Sequence, residues 1–281
     1  MNLDSRGSRV WLLLAIGIVG ISTSTLWIRL SESDGVALAF RRLALAVPIL
    51  LAWAYLRREK APLDSAALAV ITAGFFLALH FGTWMASLSH LSVATSVVLV
   101  YIHPVIVYGI EVVRGQERAD RLRLLGVVGT LGGAAILAFA AGDGRLGIEG
   151  AKPLLGVVLS LIGSLAFVGY IFAGKSACLK MPATVYAARA YAVGALLLAA
   201  YLLLIGGDLW PGTPREWGLA ALLALFPTLL GHTPLNAALP LLPPSVVSGT
   251  RSMRVIAWSL AAKSASRSCA WSSSGSPLPS T

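Results

Sequence analysis

Long apolar runs alternate with short polar breaks along the chain, and the runs share one length. Eight can be placed, at about 10–28, 35–56, 66–86, 92–113, 122–141, 153–173, 184–205 and 217–242. Each approaches the roughly 20 residues that cross about 30 Å of hydrocarbon at about 1.5 Å per residue. Lipid offers no partner to a backbone N–H or C=O, so the runs predict helices. The expected fold class is an all-α integral membrane protein, a multi-helix bundle. The first run, Val10 to Ile28, is long enough to span and does not read as a cleaved leader.

Composition strengthens this picture. Of 281 residues, 57% are hydrophobic and 12% charged, where a soluble domain carries about 25% charged residues. The net charge of +10 forms no basic stripe that could follow a nucleic-acid backbone. Lys and Arg gather instead at the ends of the runs, where they set orientation. Eleven fall on one side, among them Arg6, Arg57, Arg118 and Lys180. Only Arg29, Arg145, Lys152 and Arg215 fall on the other. That bias predicts a cytoplasmic amino terminus in the cytoplasmic membrane. Cys178 and Cys269 form neither a disulfide framework nor a metal pattern.

A weak internal repeat is visible at an offset of 151. Residues 86–93 (ASLSHLSV) resemble 237–244 (AALPLLPP), each ending one helix and opening the next. Arg41 likewise precedes Arg189 by 148 residues, each a few residues inside the second helix of its half. Five helices per unit is an odd number, so the second copy enters the membrane upside down. Inverted repeats of this kind enclose a solute site near the midplane in transporters. The expected units are 10–141 and an incomplete 153–250. Beyond Thr250 the composition changes abruptly, with ten serines and four cations in 251–281. Residues 251–281 are expected to be a disordered tail outside the repeat, either because a frameshift or assembly fault has removed a ninth and a tenth helix or as a natural cytoplasmic tail.

Several stretches resemble the EamA-like family of the drug/metabolite transporter superfamily. They are Arg42-Leu43-Ala44-Leu45-Ala46, Ala86-Ser87-Leu88, Pro104, Gln116-Glu117-Arg118 and the glycine-rich Gly126 to Gly133. In the second half, Pro227-Thr228 and Asn236-Ala237-Ala238-Leu239 fit as well. The resemblance implies ten helices in two inverted five-helix halves, and transport of amino acids or other small metabolites. It implies no cofactor, and a homodimer is compatible with it.

Polar groups inside lipid-like sequence are costly and normally face protein or a water-filled path. The segment Ala66 to Phe139 concentrates them. His80, Thr83, Trp84 and Ser87 share one helical face, because positions three and four apart are neighbours. His103 continues a stripe from Ser92 and Ser96, and Tyr101 and Tyr108 form another. Pro104 cannot donate a backbone bond and frees the carbonyl of Val100, which must find another partner. The 217–242 run carries Pro227, Pro234, Pro240, His232, Thr233 and Asn236, and is expected to face the His80 helix. Adjacent Arg41 and Arg42 point about 100° apart on a helix. One reaches for headgroups, and the other for a carboxylate-bearing solute. The substrate pathway is thus expected to use His80, Trp84, Tyr101, His103, His232, Asn236 and Arg42. Pro104, Glu117 and Pro227 take structural or gating roles. Glu117 is placed to favour the start of the next helix, and Glu111 to pair with Arg114 one turn on.

No HExxH helix is present. No ring of acids suggests a channel filter. The residues favour a solute carrier over an intramembrane enzyme, with an inactive truncated carrier as the remaining alternative.

Overall fold

A computed structural model describes residues 3–141, 152–210 and 213–249. The described residues are helical throughout and contain no strand. In order, α1 is Leu3–Ser22, α2 Ser24–Leu30, α3 Gly35–Leu56, α4 Ala67–Ser87, α5 Val93–Val100 and α6 His103–Val113. They are followed by α7 (Arg121–Ala141), α8 (Pro153–Cys178), α9 (Ala183–Leu204), α10 (Pro214–Leu223), a π-helix (Ala224–His232) and α11 (Thr233–Ala238). A last helical turn covers 244–249.

Seven helical spans of 21 to 26 residues are long and apolar enough to cross a membrane. They correspond to seven of the eight expected runs. The other run, 122–141, is helix α7, whose apolar stretch Leu124–Gly133 is shorter. Large apolar side chains such as Trp11, Leu68, Leu154 and Leu203 point outward and are more than half exposed. An apolar exterior on an apolar core is what lipid as solvent selects. The chain is an integral membrane protein.

Local chemistry sets the helix starts. Asp34 accepts from Val36 N (2.8 Å) and Ala37 N (3.1 Å) and so caps α3. Ser92 caps α5 through Thr95 N. Thr213 caps α10 through Glu216 N, with Pro214 in the first turn. Entry into α7 follows a different route from the one expected. Asp120, not Glu117, immediately precedes the helix, and the Tyr108 hydroxyl accepts from Asp120 N at 2.8 Å. Tyr108 therefore pins the bend to α6.

Four contacts organise the bundle: α4 on α8, α3 on α9, α1 on the π-helix, and α4 on α9. Small residues allow close approach. A Cβ on Gly20 would lie 2.6 Å from Gly231 N and 2.7 Å from Phe226 O, so α1 and the π-helix cross backbone against backbone. Two turns also share one hydrogen-bond pattern 151 residues apart. Leu88 N bonds Met85 O and Leu91 N bonds Ser87 O, while Leu239 N bonds Asn236 O and Leu242 N bonds Ala238 O.

The α3–α9 pair is antiparallel and tied at both ends. Arg41 near the start of α3 donates to Leu209 O (2.7 Å) and Asp208 O (3.1 Å), just beyond the end of α9. Arg189 near the start of α9 donates to Ala61 O (2.6 Å) and Pro62 O (2.9 Å), just beyond the end of α3. A cation beside the last carbonyls of a helix also meets the negative end of its dipole. Neither arginine of α3 reaches for headgroups: Arg41 is 4% and Arg42 0% exposed.

Around Arg41 the loops before α3 and α10 close into a polar seam. Ser33 Oγ accepts from Arg41 (2.8 Å) and donates to Glu216 (2.7 Å), which also receives Ser31 Oγ and Glu32 N. Arg215 bonds Glu32 (3.0 Å) and Leu30 O (2.7 Å). Residues 251–281, expected as a tail, lie outside the described residues.

Candidate functional site

Two interruptions in otherwise regular helices shape the centre of the bundle. The first separates α5 from α6 at Tyr101–Ile102. Pro104 supplies no N–H to the carbonyl of Val100, and His103 takes that place: its Nδ1 lies 2.8 Å from Val100 O. A carbonyl can only accept, so Nδ1 carries the proton. The second interruption is the π-helix. Pro227 supplies no N–H to Leu223 O, and Thr228 Oγ1 donates to that carbonyl instead (2.8 Å). In both places a side chain next to the proline donates to the carbonyl that the proline cannot serve. The interruption in the 217–242 run has no counterpart in α4, which is a continuous helix from Ala67 to Ser87.

The side-chain replacement at Val100 makes a quantitative prediction. His103→Ala leaves a buried carbonyl without its donor, at a cost of about 1–3 kcal/mol. Adding Pro104→Ala restores the backbone N–H, so the double variant should unfold at a higher temperature than His103→Ala alone. Equal melting temperatures for the two would show that the imidazole does not serve the carbonyl.

Between the interruptions lies a cavity of about 30 Å³. That volume holds a water, whose share of the liquid is about 30 Å³, and no metabolite. His80, Trp84, Tyr101, His103 and His232 all line it, together with Phe167. Ser24 and Thr25 contribute from the other side. His80 Nδ1 is 2.8 Å from Gly163 O on α8, which fixes its ring. Trp84 stacks on His80 with centroids 5.8 Å apart at 16°. Trp84 is 7% exposed, and its indole Nε1 is buried without a hydrogen-bond partner, as is Ser24 Oγ. Beside this face, Ser87 Oγ bonds Ser96 Oγ (2.6 Å), and Ser96 reaches Ser160 (3.3 Å).

Phe167 is the hub. Its ring lies 4.6 Å from His80, 4.6 Å from His103 and 6.2 Å from His232. It also leans on Tyr170 (5.5 Å), whose hydroxyl accepts from Asn236 Nδ2 at 2.7 Å. Asn236 is wholly buried behind the cavity, and its Oδ1 has no hydrogen-bond partner. Sequence reasoning did not single out Phe167, Tyr170 or Gly163. In an apolar helix, an extra aromatic ring and a small residue carry no mark that separates them from core.

Arg42 also stands outside the cavity wall. Its Nε donates to Thr228 Oγ1 (3.0 Å), and its guanidinium carbon sits 4.2 Å from the centre of the Phe81 ring. Among the described residues neither terminal nitrogen has a hydrogen-bond partner. Among the described residues no carboxylate forms a salt bridge with it. Placing an arginine within a span costs about 2.5–3.5 kcal/mol by insertion measurements, and the stacked ring offsets about 2 kcal/mol or more when desolvated. Glu111, also buried, accepts from Ser245 N (3.0 Å) at the start of helix 244–249. Arg114 instead lies over the Phe172 ring at 5.2 Å.

Residues 8–139 match the EamA-like transporter family, and this match supports a membrane transporter. An uncharacterized transporter of Archaeoglobus fulgidus is 29% identical over 212 residues, which cover 71% of this chain and 68% of that protein. A crystal structure of a protein 17% identical in sequence superposes with a TM-score of 0.73, covering 90% of this chain and 86% of the other. That likeness establishes the fold.

Proposed function

We propose that the chain is a secondary transporter that moves small metabolites, such as amino acids or related compounds, across the cytoplasmic membrane by alternating access. It acts as a carrier and not as an enzyme, in the outward direction, with its amino terminus in the cytoplasm. The central cavity carries this reading. Five polar or aromatic residues from three separate spans converge on a space that holds a water but no solute. A fixed pore would need no such closure, whereas a carrier must pass through a closed state between its two open ones.

The two units, 10–141 and 153–250, are read as inverted repeats. The shared turn at 88–91 and 239–242 supports this, as does the reciprocal hold of Arg41 and Arg189. Leu209 follows Ala61 by 148 residues, the same interval that separates Arg189 from Arg41. Under inversion one hold lies near each face of the membrane. Entry from a given face then requires release of the hold on that face.

Counterflow in proteoliposomes tests the reading. Vesicles containing the full chain and loaded with an unlabelled amino acid are expected to accumulate the labelled form transiently and saturably. His80→Ala and Asn236→Ala should lower that flux about tenfold, the equivalent of one buried hydrogen bond at about 1–1.5 kcal/mol, with unchanged membrane insertion. Linear, non-saturating flux would point to a channel, and chemical change of the solute to an enzyme. Full flux in both variants would remove these residues from the pathway.

A further inference from the structure

We propose that Arg42 is the anchor for a carboxylate on the transported solute, so that the cargo is an anion or zwitterion with a compact apolar body. This rests on the carrier reading above. Arginine stays charged in any protein setting, and Arg42 is fully buried. Its one hydrogen bond among the described residues goes to the Thr228 hydroxyl, which is neutral and already spends its own proton on Leu223 O. Both terminal nitrogens remain without acceptors. They form the planar fork that binds a carboxylate through two parallel N–H···O bonds. A charge left in this condition inside a span is completed by an anion from outside the described fold.

One ring links the guanidinium to the residues that line the cavity. Phe81 packs under Arg42 at 4.2 Å, edge-on to His232 at 5.5 Å and beside His80 at 5.0 Å. Both histidines line the cavity, and Phe81 is the side chain that touches all three. Rotation of Phe81 as the cavity expands would expose the fork to a solute. The rest of the wall suits an uncharged body. Trp84 and Phe167 supply aromatic rings, and the indole Nε1 of Trp84, without a hydrogen-bond partner among the described residues, offers one further donor.

The test uses the full chain in lipid nanodiscs and three probes with one shared body: phenylacetate, phenylacetamide and phenethylamine. Phenylacetate is expected to raise the melting temperature in a concentration-dependent way, and the amide and amine to leave it unchanged. Arg42→Gln should weaken the phenylacetate effect about tenfold or more, with Arg42→Lys intermediate, because lysine keeps the charge and loses the fork. Without ligand, Arg42→Gln should melt at or above the wild-type temperature, since it removes an uncompensated buried charge. A lower melting temperature for unliganded Arg42→Gln would make the arginine a structural element and overturn the proposal. Equal stabilisation by amide and carboxylate, no effect of phenylacetate on the wild type, or an effect that persists in Arg42→Gln would overturn it too. Counterflow separates the two levels. Flux of a solute without a carboxylate, unaltered in Arg42→Gln, would sink the anchor and leave the carrier reading standing.

Discussion

Gly20→Ala should destabilise the bundle more than any other single added methyl group. Its Cβ would meet Gly231 N at 2.6 Å, Leu230 C at 2.7 Å and Phe226 O at 2.7 Å. All three are backbone atoms, which cannot rotate aside as a side-chain tip can. The helices must separate, and overpacking of this kind costs about 1–3 kcal/mol. Separation at this crossing also shifts Ile21 and Ser22 on one side of the cavity and His232 on the other. Thermal unfolding of the purified protein should therefore show a clear drop, and counterflow should fall with it. Gly109→Ala is the control. Nothing lies within 4 Å of its Cβ position, so replacing a mid-helix glycine there should be neutral or add about 0.5–1 kcal/mol. Equal melting temperatures for Gly20→Ala and wild type would mean that the crossing is looser than its geometry.

Phe167→Ala is the second large effect. The ring is 2% exposed and touches three histidines and Tyr170. Removing a buried phenylalanine side chain costs about 3–5 kcal/mol, part of it for the space left behind. Phe167→Leu keeps most of the volume and should cost less than about 1.5 kcal/mol. The alanine variant also joins new space to the 30 Å³ cavity and frees the imidazoles of His80 and His103 to move. Counterflow should fall in Phe167→Ala even at temperatures where the protein stays folded. A variant that melts with the wild type would show that Phe167 does not hold the three imidazoles apart.

The spans were legible because apolar length is a direct physical requirement of lipid, and the helices follow the expected runs closely. Trp84 beside His80 followed from i, i+4 spacing, and the freed carbonyl at Val100 from the chemistry of Pro104. What the sequence concealed has one common cause: the partner is a backbone group or lies far along the chain. Arg41 and Arg189 end on carbonyls, which every residue owns, so no side chain announces them. Glu111 meets Ser245 N, 134 residues away, while a local reading paired it with Arg114. The π-helix widens one turn around Pro227, and proline alone does not distinguish a kink from such a widening. Arg42 was expected to look away from the headgroups, but its seat on Phe81 and Thr228 needed the folded chain.

The reciprocal arginine holds have an implication for drift. Their acceptors at positions 61–62 and 208–209 are main-chain oxygens, so the side chains there can be exchanged with little penalty. A residue added to or deleted from either connection would move the oxygens out of register with the guanidinium that they hold. These two connections should accept many spellings and only one length.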